Sequence, residues 1–260
     1  MIYNHIDQYR LLNLERDGYM KKSILICICL IISLLCGCSN QSNIGNSPAE
    51  SIAANPVGTY TDVSFSDTGS VYVDFAVQSE GREREKETIV ITATDNGYSF
   101  EDSLHSGRLT DNGDGNFTAK KERVITEDPL IIKLAELELE RDPYAFYVVY
   151  ENYLIKKSPI DGDIVGELPS EEKKTTCFIS IEHLTYSTYT LSFSADGSCD
   201  IMTIFNGDIC SCSGTYSVKG KIISLTFTKG DFYGEELSGN IEMALYVEDN
   251  TLYDQVYHRK

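Results

Sequence analysis

Cysteine is the residue type in this chain whose chemistry depends most on spacing, and the sequence contains eight of them. Four lie in or directly after an apolar run near the N-terminus, namely Cys27, Cys29, Cys36 and Cys38. The other four are Cys177, Cys199, Cys210 and Cys212. Four-cysteine zinc sites use paired Cys-x-x-Cys spacing, which these residues lack. We therefore expect thiols or disulfides here, with no metal and no other cofactor.

Two disulfides among the later four cysteines would suit an exported domain, and three pairings are open. Cys210 and Cys212 do not easily bridge each other along a strand, because Cα atoms at i and i+2 lie nearly 7 Å apart. A bridge from Cys199 to Cys212 or to Cys210 is sterically more favourable. The alternative is that these four cysteines form no disulfide and remain buried free thiols.

Groups that could converge for catalysis are scarce. His105, His183 and His258 lie far apart in sequence and do not form a metal-ligand spacing. The chain also lacks the Gly-x-Ser-x-Gly motif of an activated serine and the Gly-x-x-x-x-Gly-Lys motif of a phosphate loop. We therefore expect a non-enzymatic protein, and a hydrolase is the least favoured function.

An Asp/Asn/Gly-rich segment at residues 112–116 suggests a calcium loop, with oxygen ligands at alternate positions. Phe117 stands where the EF-hand requires glycine, and Arg123 stands where its bidentate glutamate belongs. The segment is better explained as a hairpin turn.

Aromatic side chains are the remaining candidates for a binding site. Those predicted to line a ligand cavity or an exposed recognition face are Phe146, Tyr147, Tyr150, Tyr153, Tyr186 and Tyr189. The alternative is that they pack in a core, as aromatic residues in strands commonly do.

The elements that would position these residues are predominantly strands. Tyrosine is abundant, tryptophan is absent, and alternating runs separated by turn residues recur along the chain. Residues 71–77 alternate, residues 95–97 (Asp-Asn-Gly) indicate a hairpin, and residues 98–109 are predicted as its return strand. Residues 130–140 are predicted as a strand rather than a helix because their end alternates. Residues 252–257 are predicted as the last strand of the C-terminal half of the chain.

These signals predict an all-β fold of antiparallel meander barrels or half-barrels. The predicted divisions are a β module at 57–157, a polar linker at 158–174 and a second β module at 175–260. A duplication would explain why residues 59–70 resemble residues 188–198. Chance similarity between Thr/Ser/Tyr-rich strands is the alternative.

An export signal is indicated from Met20 onward. Two lysines precede an apolar run, which is shorter than the ~20 residues of a membrane-spanning helix. The run ends in Leu35-Cys36-Gly37-Cys38, which resembles the lipobox at which bacterial lipoproteins are cleaved and lipidated. We therefore expect a signal peptide at 20–37, lipidation of Cys38 and a flexible tether at 38–56. Residues 1–19 are expected to be an untranslated or disordered extension.

Charge narrows the class of partner. The chain carries a formal charge of −18, and residues 38–260 carry −19. Such a field repels phosphate backbones, so nucleic acid is excluded as a partner. The expected contact with the membrane is the N-terminal lipid, at the outer face of the cell membrane.

Residues 187–260 resemble the lipocalin-like domains of small lipoproteins from Gram-positive bacteria. The resemblance lies in residues 193–198, 213–227 and 246–253, which combine an Asp-Gly turn, Gly-Thr-Tyr and a terminal strand after Asp-Asn. It implies a meandering antiparallel barrel and transfers no functional residues. We expect a module that binds a small apolar ligand or an envelope component, with a protein-interaction or inhibitor module as the alternative.

Overall fold

The computed structural model describes residues 54–63, 86–160, 162–183, 187–205, 208–232, 235–237 and 239–260. Ser51–Lys260 is a compact unit. It is nearly all antiparallel β, with one closed eight-stranded barrel and one curled half-barrel, which confirms the predicted fold class. Cys38, Tyr186 and the strand predicted at 71–77 lie outside the described residues.

The closed barrel joins seven consecutive strands to the last strand of the chain. Its strands are β1 (Gly58–Asp62), β2 (Thr88–Thr94), β3 (Gly97–Glu101), β4 (His105–Gly113), β5 (Asn116–Val124), β6 (Tyr144–Tyr150), β7 (Tyr153–Lys156) and β17 (Val256–Arg259). The order around the barrel is β1-β17-β7-β6-β5-β4-β3-β2, and β2 pairs with β1. The predicted hairpin at 95–97 is confirmed. The predicted return strand is instead two strands, because the Asp102 carboxylate accepts from the Leu104 and His105 N–H groups in a turn.

The interior of the closed barrel is filled by side chains. Tyr60, Ile89, Phe117, Tyr147 and Leu154 are among its buried residues. Each fully buried large apolar side chain contributes roughly 1.5–3 kcal/mol. Eight strands leave an interior just wide enough for such packing, so this barrel is a core and not a channel.

The prediction of a strand at 130–140 is wrong, because this segment forms helix α1 (Pro129–Arg141). The Asp128 carboxylate accepts from the Leu130 N–H at 2.9 Å, and Pro129 occupies the first turn. Both are helix-start signals that outweigh the short alternation. Ala135 is buried against the barrel, where its carbonyl accepts from His105 Nε2 at 2.9 Å.

The half-barrel contains the remaining strands. They are β8 (Gly162–Gly166), β9 (Cys177–His183), β10 (Ser187–Phe193), β11 (Ser198–Phe205), β12 (Asp208–Lys219), β13 (Ile222–Phe232), β14 (Glu235–Glu236), β15 (Ile241–Glu248) and β16 (Thr251–Tyr253). The sheet runs from β16 at one edge to β8 at the other, with β14 paired to β13. The predicted linker therefore contains a strand, β8. The concave side is packed by apolar residues such as Ile179, Phe193, Leu225 and Met243.

The two sheets share a third apolar cluster. Val148, Ile155 and Val256 point outward from the closed barrel and pack against Ile222 and Tyr246 of the half-barrel. The prediction of a last strand in the second half is wrong in part, because β16 ends at Tyr253 and β17 joins the closed barrel. The two barrels are consequently tied by both chain connection and packing.

Candidate functional site

The half-barrel does not close, and a pocket of about 700 Å³ lies between its edge strand β8, with the segment that follows it, and the turns that join β12 to β13 and β15 to β16. We call this pocket and its walls the seam. Pro159 pairs with Tyr253, and the Ile160 N–H donates to the Leu252 carbonyl at 2.9 Å, which joins the edges at one end. Further along, β9 is the strand that pairs with β8 among the residues that the structure describes. The pocket is lined by Ile164, Gly166, Glu167, Leu168, Pro169, Ser170, Val218, Gly220, Lys221, Ile223, Val247 and Asn250.

One wall of the seam comes from β8 and the segment after it. Gly166 has a φ of 104°, a conformation that favours glycine, and the chain there turns away from β9. Leu168 and Ile164 then face the pocket. The β8–β9 pairing ends at this turn, where Gly166 stands opposite Cys177.

The opposite wall is the turn between β12 and β13. Gly220 has a φ of 56°, and its N–H donates to the Glu171 carboxylate at 2.7 Å. The Tyr150 hydroxyl of the closed barrel accepts from the Lys221 N–H at 3.4 Å. A Cβ at Gly220 would clash with that hydroxyl oxygen, so any larger residue is disfavoured here. Both barrels therefore shape the rim of the seam.

Charges at the seam are paired. Lys221 Nζ lies 2.7 Å from Glu248 Oε1, and Lys157 Nζ lies 3.4 Å from Glu248 Oε2. The hydrogen bond from Lys221 holds the pKa of Glu248 below its usual range. Glu167 is paired with Lys173. Because these charges are paired, a ligand would contact mostly the uncharged lining residues. The apolar ones include Leu168, Val218, Ile223 and Val247, and the polar ones are Asn250 and Ser170.

None of the five described aromatic candidates is among the residues that line the seam pocket. Tyr147 and Tyr189 are buried in the two separate cores. Tyr150 and Tyr153 pack in the cluster shared by the barrels, and Phe146 is exposed on the outside of β6. Tyr150 alone approaches the pocket, through Lys221.

Three of the later cysteines, Cys177, Cys199 and Cys212, lie on the concave side of the half-barrel. Cys177 and Cys199 are buried free thiols, and Cys212 is also buried. Cys199 pairs with Gly214 and Cys212 with Ile201, so these two cysteines are diagonal neighbours, about 7–8 Å apart at their Cα atoms. Cys210 stands opposite Thr203, farther still from Cys199. The register does not support the sequence-based preference for a Cys199 bridge.

Burial makes the two free thiols poor nucleophiles. It raises the pKa of Cys199 to about 12, with a further contribution from Asp200, and it raises the pKa of Cys177. The reactive species is the thiolate, which is scarce at neutral pH under these conditions. These thiols are packed as small apolar groups.

The other polar candidates are dispersed. His105 is buried beneath helix α1, and the His258 ring packs edge-on against Tyr153. His183 is in β9. The Asp/Asn/Gly-rich segment is a hairpin, as predicted, because Gly113 pairs with Asn116. In the part of the chain that the structure describes, no three His, Cys, Asp or Glu residues are grouped as metal ligands would be.

Sequence reasoning missed the seam. Its available signals were the turn residues Gly166, Pro169 and Gly220, which were interpreted as linker and hairpin positions. No protein-family model, curated protein or solved structure matches the chain. None of the helices in the described ranges has the length and apolar character needed to cross a bilayer.

Proposed function

We propose that this chain is a non-enzymatic envelope lipoprotein whose half-barrel binds a small apolar ligand, or an apolar group of an envelope component, in the seam. The observation that carries the proposal is the pocket of about 700 Å³, whose walls combine apolar side chains with a few polar ones. Pockets for small ligands usually enclose roughly 300–1,000 Å³ and combine apolar walls with a few polar groups.

The filled interiors of both barrels favour the seam over an internal cavity as the binding site. A ligand in the seam would cover Leu168, Val218 and Val247, which are partly exposed. Covering this surface provides the binding free energy, at about 25 cal/mol per Å² of apolar area. Asn250 and Ser170 would orient a polar end of the ligand.

The first experiment is a titration with the neutral fluorescent probe N-phenyl-1-naphthylamine. We expect Ile164→Asp to weaken binding at least about tenfold, because the bound probe would lose an apolar contact and would desolvate the carboxylate that it covers. Val165→Asp is the matched control, since Val165 is the adjacent exposed residue and does not line the pocket. Equal binding by both variants and the unaltered chain would contradict the proposal.

The anchor is the second part of the proposal and is tested separately. Cys38 follows the short apolar run, and lipidation there would hold residues 54–260 at the outer face of the membrane. In cells fed an alkyne-labelled fatty acid, we expect the full chain to be labelled and the Cys38→Ala chain to be unlabelled. Labelling that persists in Cys38→Ala would overturn this assignment.

A protein-interaction module is the second candidate function. It is favoured by a different observation, the apolar residues that helix α1 exposes to solvent.

A further inference from the structure

Helix α1 is apolar on two opposite faces. Ala135 faces the closed barrel and is fully buried. On the opposite face, Leu130, Leu134 and Leu137 remain 84%, 59% and 40% exposed. A helix on the surface of a globular protein ordinarily presents polar residues to water, and clustered exposed leucines mark a contact surface.

The spacing of these leucines is that of a heptad seam. Leu130, Leu134 and Leu137 are separated by four and three residues, and Arg141 follows four residues later. These are the d, a, d and a positions of a coiled coil. Lys133 and Glu140 then occupy successive g positions on one flank, and neither has an ion-pair partner among the described residues.

The charges of Lys133 and Glu140 indicate which partner fits the leucine stripe. In an antiparallel helix pair, g positions face g positions, so Lys133 of each helix would meet Glu140 of the other. The aliphatic part of Arg141 would pack beside Leu130. A parallel pair would instead place Arg141 against Arg141, and the Glu138 that could face Lys133 is already bound to Lys121. The stripe therefore complements an antiparallel copy of itself.

We propose that helix α1 is a self-association surface, on which two copies of this chain pair antiparallel about a two-fold axis. Such a pairing is isologous and closes as a dimer. The surface is small compared with the roughly 1,200–2,000 Å² buried in stable complexes, so the dimer is weak in solution. The helix belongs to the closed barrel and the seam to the half-barrel, so the inference does not rest on the proposed ligand.

Sedimentation equilibrium of the compact unit Ser51–Lys260, which contains all three apolar clusters, tests the proposal. We expect a reversible monomer–dimer equilibrium that Leu134→Glu abolishes. Ile209→Glu is the matched control, because Ile209 is a similarly exposed residue of the half-barrel at 62%. A monomer at the highest soluble concentration, or a dimer that survives Leu134→Glu, would overturn the proposal.

Charge reversal tests the antiparallel arrangement itself. Lys133→Glu and Glu140→Lys should each weaken dimerisation about tenfold, because each creates two like-charged pairs across the axis. The double variant should restore the original affinity. If the double variant does not recover the original affinity, the antiparallel arrangement is wrong, even if the leucines contact another partner. Ile164→Asp should leave dimerisation unchanged, which separates failure here from failure of the seam proposal.

Discussion

The closed barrel and the half-barrel each have a path of eight strands, but only the first closes. Closure depends on β17, which arrives from the far end of the chain and pairs with β1 on one side and β7 on the other. The half-barrel receives no such strand, and within the described residues its edges meet at one end, at the Pro159–Tyr253 bridge and the Ile160–Leu252 hydrogen bond. The candidate site arises from this incomplete closure, since both interiors are packed.

This difference in closure explains why we assign ligand binding to the half-barrel and self-association to the closed barrel. The closed barrel has its backbone groups engaged around the whole circumference, so it offers partners its outer surface and helix α1. The half-barrel keeps an edge strand, β8, whose ladder is completed on one side only. A closed barrel and a half-barrel with an accessible seam are thus combined in one compact unit.

Removing the closing strand should have the largest effect. Deletion of residues 256–260 takes away the buried Val256 and Tyr257 and the contact between Arg259 and Tyr60. Losses of about 2–5 kcal/mol for each buried large side chain approach the roughly 5–15 kcal/mol that hold a domain folded. We expect the cooperative urea transition followed by circular dichroism to disappear. Removal of Lys260 alone is the control, and a cooperative transition in the longer deletion would show that closure is dispensable.

An isoleucine-to-alanine substitution should lower the free energy of unfolding more in the apolar cluster shared by the barrels than in the seam. Ile155→Ala removes a fully buried side chain between the barrels, and we expect a loss of about 3 kcal/mol in the free energy of unfolding. Ile164→Ala, in the seam, should cost less than about 1 kcal/mol because Ile164 is 37% exposed. Urea denaturation of both variants makes the comparison. Equal losses would mean that the seam is as tightly packed as the cluster.

The ion pair that holds helix α1 on the closed barrel should have an intermediate effect. Lys121 is buried and paired with Glu138. Burial acts to raise the pKa of Glu138, but the hydrogen bond and charge of Lys121 outweigh it and lower this pKa. Glu138→Gln should cost about 1–2 kcal/mol at neutral pH, less than a fully buried pair because Glu138 is partly exposed.

The pH dependence follows from the direction of that shift. Because the pKa of Glu138 is lower in the folded than in the unfolded chain, its contribution is present above the ordinary carboxyl range. It is lost as the pH falls through the folded value. The difference in unfolding free energy between the unaltered chain and Glu138→Gln should therefore vanish in acid. Glu136→Gln, on the same helix, is the control, and a difference that persists in acid would contradict the assignment.

The rim of the seam should show the smallest effect. Gly220→Ala places a methyl group in a left-handed turn and against the Tyr150 hydroxyl, at a cost of about 1 kcal/mol or slightly more. Adding Tyr150→Phe should recover the part due to the contact and leave the backbone strain. Thermal denaturation of the single and double variants measures both parts. No recovery would indicate that the two barrels do not meet at Gly220.

Much of the local structure was predictable from short-range patterns. Alternation in β6 and β15 and the turns at 95–96, 219–221 and 249–250 depend on side-chain period and on residues that tolerate positive φ. The helix was also encoded locally, in Asp128 and Pro129, although the alternation that follows was given more weight. The candidate site was not predictable in this way, because Ile164, Val218 and Val247 are ordinary strand residues until the sheet curls.

The sequence by itself determined the β character of the chain, its turns, its acidic surface and a cysteine pattern without zinc spacing. These properties depend on residue type and on neighbours within a few positions. Only the tertiary structure decided that β17 closes the first barrel, that the half-barrel keeps a seam, and that Tyr150 and Tyr153 pack between the barrels. Strands of similar pattern can pair in many orders, and the order is selected by burial of the whole set of apolar faces at once.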